Sequence, residues 1–220
     1  MRVLILLIVL FSSACNNNTS NNSINSMPPN SHNTSITLKD TLGNITITIP
    51  NRYDTFFTWT NLSNDGSGKE KYRFQPKSIP VYKESGSYWS HPLDSVDQFT
   101  ITHYEHWRML HEYPKYFDTS EIFKYAHWKS INDIKKDPSP KKIISDTVQR
   151  INNKLFSIVA SENYDTLKKQ YCKSVIALTV LNRNFISFEF LLLTKTKDSI
   201  TNNFIFNAKK LISQIKVNGL

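Results

Sequence analysis

Residues 185–194 constrain this chain more than any other segment, because Ile186, Phe188, Phe190 and Leu192 occupy every second position. Successive side chains of an extended strand point to opposite faces, so these four cover one face of a strand and require a partner layer. The apolar run 174–181 lies just upstream, with Asn182, Arg183 and Asn184 between. That order predicts an antiparallel hairpin. A second hairpin is predicted from 142–152 and 154–160, turning at Asn152-Asn153.

The strand pattern extends toward the N-terminus. Residues 36–39 and 44–49 alternate apolar and polar, joined by the turn Asp40-Thr41-Leu42-Gly43. Aromatic-rich strand signals follow at 55–60, 71–74, 87–89 and 98–107, separated by turn residues at 65–68 and 84–86. Two helices interrupt this pattern. Asp118 supplies a cap for the first, whose stripe is Ile122, Phe123, Ala126, Ile131 and Ile134, with Lys135 and Lys136 at its end. The second is expected over 201–216, with Phe204, Ala208, Leu211, Ile212 and Ile215 as its apolar stripe. The fold class expected is α+β: mainly antiparallel sheet, with a middle helix and a C-terminal amphipathic helix packed on the sheet.

A long antiparallel hairpin followed by a helix ending in Ile215-Lys216-Val217-Asn218 resembles the closing unit of the Mog1/PsbP-type α/β/α sandwich. The likeness covers residues 142–220 and implies accessory and binding roles more than catalysis. The long aromatic first half departs from a minimal version of that fold.

The N-terminus has a different logic. Arg2 precedes an unbroken apolar run from Val3 to Phe11, followed by Ser12-Ser13-Ala14-Cys15. The run is too short for a bilayer span of ~20 residues and has the order of an export signal. It resembles bacterial lipoprotein signals, in which a box of small residues ends at a cysteine that is lipidated and becomes the new N-terminus. Ser12 departs from the leucine usual at the first position of that box. The resemblance implies a signal peptide over 1–14, lipid on Cys15 and attachment to a bacterial membrane through that lipid. Residues 16–35 are almost wholly polar and predict a disordered Asn/Ser-rich tether. A flexible coil of that length spans about 25 Å. The tether contains no acidic residue, which favours a periplasm-facing position on the outer membrane. A single globular envelope domain is then expected over 36–220.

Candidates for chemistry are sparse. His103, Glu105, His106 and His111 form the densest polar constellation, but their order differs from the His-Glu-x-x-His of a zinc helix. No serine-nucleophile elbow occurs, and five glycines in the whole chain do not make a phosphate cradle. We therefore expect no catalytic residue, metal or cofactor. Only two cysteines exist, and with Cys15 lipidated Cys172 is left single, most simply as a small buried hydrophobe. Trp59, Trp89, Trp107 and Trp128 stand among many other aromatics; they either pack the core or present a binding face, which could also include His103, Glu105 and His106. The formal charge of +9 would suggest nucleic acid in a cytosolic protein, but an exported chain with scattered lysine pairs excludes that partner. The sequence thus predicts a non-catalytic binding or accessory lipoprotein with an envelope protein or polysaccharide as partner. The alternatives are an envelope hydrolase using the 103–111 segment and a glycan-binding lipoprotein using exposed tryptophans.

Overall fold

Two sheets of unequal size share one apolar core in the computed structural model, which describes residues 30–39, 42–62, 68–84, 94–104, 119–137, 141–181 and 184–219. Within these residues the strands are β1 (Ser31–Leu38), β2 (Gly43–Pro50), β3 (Thr55–Leu62), β4 (Gly68–Gln75), β5 (Val96–Tyr104), β6 (Lys142–Ile151), β7 (Lys154–Asp165), β8 (Gln170–Leu181), β9 (Asn184–Thr194) and β10 (Lys216–Asn218). The helices are α1 (Thr119–Lys136) and α2 (Ser199–Ile212). The large sheet runs β3-β4-β5-β9-β8-β7-β6 with every neighbouring pair antiparallel, and the small one runs β1-β2-β10.

The predicted hairpins are present with longer strands. Ile151 and Lys154 are directly paired, so Asn152 and Asn153 make a two-residue loop, and both have positive φ (45° and 64°). Asparagine tolerates that left-handed backbone better than most residues, which is why this turn was legible. The Asn152 amide also donates to the Ile215 carbonyl at 2.8 Å, tying the turn to the C-terminal segment.

Alternation decides which face each side chain serves. Phe156, Ile158 and Ala160 of β7, Val175 and Ala177 of β8, Ile186, Phe188 and Phe190 of β9, and Phe99 and Ile101 of β5 all enter the shared core. Phe99 sits at the centre, its ring centroid 4.2 Å from Phe190 and 6.1 Å from Phe74. Over this face lie α2, through Phe204, Ala208, Leu211 and Ile212, and the small sheet, through Ile36, Leu38, Ile45, Ile47 and Ile49. The opposite face carries α1 above β6 and β7, where His127 Nδ1 lies 2.9 Å from Ser157 Oγ and Phe123 is buried. The α+β class and the packing of the C-terminal helix on the sheet are therefore observed.

Several boundaries differ from expectation. Strand β1 begins at Ser31, inside the segment read as tether and ahead of the boundary at residue 36, because β2 is long enough to pair with it back to Ser31↔Pro50. Backbone hydrogen bonds do not require apolar side chains, and polar pairs replace them here: Thr48 Oγ1 donates to Asn33 Oδ1 at 2.7 Å, and His32 Nδ1 lies 2.8 Å from Asn51 Oδ1. Helix α2 starts two residues early, where the Asp198 carboxylate accepts the Thr201 N–H at 2.9 Å; this backbone bond holds the carboxyl below its ordinary value. It ends at Ile212, not 216. Ile215 is buried after the helix has stopped, and the chain adds β10 to the small sheet, Val217 opposite Ile45.

Gly43 makes that addition possible. Its φ is +132°, and a Cβ there would lie 2.1 Å from the Asn218 carbonyl oxygen. Only glycine lets the hairpin turn and β10 approach this closely. A second tie crosses the sheets. Arg52 grips Asp97 of β5 with Nε at 2.8 Å and Nη2 at 3.3 Å, and the buried Tyr53 hydroxyl donates to Asp97 Oδ1 at 2.6 Å. Burial, reinforced by the Asp97 charge, pushes the Tyr53 phenol well above its ordinary value.

Candidate functional site

On the face of the large sheet away from the shared core, β3, β4, β5 and β9 bring together residues far apart in sequence. Strand pairing aligns Phe57, Arg73, Thr100 and Glu189 in one row, with Trp59 and Lys71 in the next. The Arg73 side chain is buried, and each end of its guanidinium has a partner. Nε donates to Thr100 Oγ1 at 3.0 Å, Nη1 to the Tyr82 carbonyl at 2.7 Å and Nη2 to Glu84 at 2.5 Å. Its planar face lies 4.7 Å from the Trp59 ring, which in turn stacks on Phe57 at 5.4 Å. Lys71 reaches the other Glu84 oxygen at 3.2 Å, and the Trp59 indole N–H donates to the Glu84 carbonyl at 3.2 Å. Gln75 adds a bond to the Ile79 carbonyl at 2.7 Å.

These contacts latch residues 76–84 across the sheet. Burial alone would raise the Glu84 carboxyl, but Arg73 and Lys71 outweigh it and hold it below its ordinary value. Glu189 shows the opposite balance: burial raises its carboxyl despite the same two cations, and the Glu84 charge adds to the rise. Trp59, an expected binding residue, is thus a structural element of the latch. Sequence reasoning passed over Arg73, Lys71, Glu84 and Glu189. The available signal was charge at period two inside strands, in Lys71-Tyr72-Arg73-Phe74 and Phe188-Glu189-Phe190.

His103 faces the shared core and is buried. It pairs in register with Glu70, also buried, whose carboxylate takes the Lys39 ammonium and accepts the Thr60 hydroxyl at 2.5 Å. The backbone N–H of Lys39 donates to the Tyr72 hydroxyl at 3.2 Å. This polar group closes one end of the space between the two sheets and places the His103 side chain inside the packing. Glu105, His106, His111, Trp89, Trp107 and Cys15 lie outside the described residues. Trp128 is 58% exposed on α1, beside Tyr125. Cys172 is a free, half-buried thiol on β8, raised above its ordinary value by burial, which disfavours the thiolate.

Open concavities lie elsewhere. A groove of about 490 Å³ runs between the small sheet and β3, past Ile36, Ile49 and the half-exposed Phe56. Another, of about 380 Å³, lies where β7 and β8 outrun helix α2. Lys142, Glu162 and Lys173 form one cross-strand row on its floor, with Lys173 Nζ 3.3 Å from Glu162. Tyr164 and Tyr171, paired in register with ring centroids 4.7 Å apart, form the next row. Lys197 approaches from the loop before α2. Three cations against one carboxylate make this cleft positive, and its aromatic walls face solvent. None of these residues was singled out from the sequence, since they come from four elements and carry no motif.

No protein-family model matches the chain, and no curated protein matches it. Among solved structures, the chain is similar to the solution structure of cyanobacterial PsbP (CyanoP) from Synechocystis sp. PCC 6803, at 9% identity and a TM-score of 0.46, over 84% of this chain and 92% of that one.

Proposed function

We propose that this protein is a lipid-anchored protein of the bacterial envelope that works by binding, as an accessory module, and not by catalysis. The attachment would be the Cys15 lipid, at the end of the apolar run 3–11 and the small residues 12–14. Among the described helices, none is long and apolar enough to cross a membrane. The observation that carries the binding role is a contrast in where residues are placed. Trp59 and His103, the described residues most suited to recognition or chemistry, are built into the packing, whereas lysines and tyrosines line an open cleft at the sheet end.

Two measurements test this reading. Cys15→Ser should abolish palmitate labelling and release the protein from membranes; unchanged membrane partition with the signal removed contradicts the anchor. Purified protein incubated with peptidoglycan or envelope polysaccharide should retain polymer of unaltered length. Shortened polymer would instead establish a hydrolase.

A further inference from the structure

We propose that the cleft between β6, β7, β8 and the start of α2 binds an acidic saccharide, a sugar carrying a carboxylate. The inference rests on the binding reading above and names the ligand class. Three features of the cleft select it. First, its charge: Lys142, Lys173 and Lys197 line the cleft with one carboxylate, Glu162, which is paired with Lys173. Lysine ammonium groups are compact, hydrated point charges that attract an anion without demanding the planar geometry an arginine fork prefers. Second, its walls: Tyr164 is 45% exposed and backed by Tyr171, so it offers a rigid, flat surface to the apolar face of a sugar ring.

Third, Glu162 and Asn202 discriminate between anions. A carboxylate on the floor accepts hydrogen bonds from hydroxyls, which a sugar supplies in number, and it offsets part of the cationic charge that a dense polyphosphate would draw on. Asn202, exposed at the rim, can donate and accept at once. A ligand satisfying this set carries one negative group, several hydroxyls and a flat apolar face. The cleft volume of about 380 Å³ accommodates one or two sugar residues of a longer chain. Asp198, beside Lys197 in sequence, directs Oδ1 onto the first turn of α2, where it accepts from Thr201 N–H and Oγ1.

The test is calorimetric titration of the purified full chain with four probes: oligogalacturonate, its neutral methyl ester, polyaspartate and ATP. Oligogalacturonate should bind, and the ester should bind about tenfold more weakly or not at all, the loss expected for one charge-assisted contact. Lys142→Gln with Lys197→Gln, both at exposed positions, should weaken oligogalacturonate by about tenfold or more with an unchanged melting temperature. Tyr164→Ala should weaken oligogalacturonate while leaving polyaspartate unaffected. Equal affinity for the methyl ester overturns the proposal. Tighter binding of ATP or polyaspartate, insensitive to Tyr164→Ala, removes the saccharide but leaves a binding module. Failure to bind any of the four removes the saccharide proposal, while the binding reading stands or falls separately on the polymer incubation described above.

Discussion

The two ends of the large sheet are held together by different physics. Strands β7, β8 and β9 present an almost continuous apolar face to α2, with Phe156, Ile158, Val175, Ala177, Phe188 and Leu211 buried in the core. Strands β4 and β5 contribute to the same core on one face, yet on the other they and β3 bury a guanidinium against a carboxylate and an indole. Apolar packing is non-directional and tolerates small shifts. A buried ion pair is stable only while its partners hold their geometry, because the desolvation cost is offset only by close contact. One end of the molecule is therefore tolerant in chemistry and strict in volume, and the other is the reverse.

The comparison breaks most easily at its apolar end. Phe188→Ala removes a fully buried ring beneath Phe99 and Phe156, and chemical denaturation should show a loss of about 3–5 kcal/mol. Leu211→Ala should cost about 2–5 kcal/mol by the same mechanism. A wild-type denaturation midpoint for both would mean that α2 does not pack on the sheet.

Arg73→Ala should cost about 3 kcal/mol, because it strands a partly buried carboxylate and frees residues 76–84. The paired variant Arg73→Met, Glu84→Gln should recover much of that loss, and a double-mutant cycle would measure the coupling. Additive effects would show that the two side chains are only neighbours.

The pH dependence separates the two carboxyls. Glu84 has a folded-state value below its unfolded one, so its stabilising contribution is present above the unfolded value and disappears as pH falls through the folded value. Glu189 has a folded-state value above its unfolded one, so folding loses stability as pH rises from the unfolded value through the folded one. At neutral pH, Glu189→Gln should therefore raise the melting temperature and Glu84→Gln should lower it. Thermal melts across acidic to neutral pH test this, and shifts of the same sign in both variants would refute the latch electrostatics. Smallest of all, Lys209→Ala loses one contact to Ser145 Oγ at 3.2 Å and should change stability by less than about 0.5 kcal/mol.

What could be read from the sequence follows the same divide. The β6–β7 and β8–β9 hairpins and α2 were legible because their apolar residues repeat at the period of the element and their turns carry asparagine. Asp198 and Ile215 mark where legibility stopped: local periodicity could not tell that the helix would yield to a three-residue strand paired with β2. The site was less legible still. Trp59 and His103 drew attention by residue type, but their surroundings depend on Arg73 and Glu70, which strand register brings alongside, and on Glu84, which the 76–84 segment carries across the sheet. Lys142, Lys173 and Lys197 read as scattered surface charge until β6, β7 and β8 are laid side by side.

The small sheet has a consequence for the order in which the molecule can be completed. Its central strand, β2, takes β1 on one side and β10 on the other, pairing residues 44–46 with 216–218, far apart in sequence. The β1–β2 hairpin pairs locally, but the other flank of β2 stays open until residues 216–218 have been made. Contacts so distant in sequence form slowly, and the interval leaves an apolar strand edge available to other chains. Val217 and Gly43 thus act as a clasp that closes late and leaves the edge of β2 vulnerable until it does.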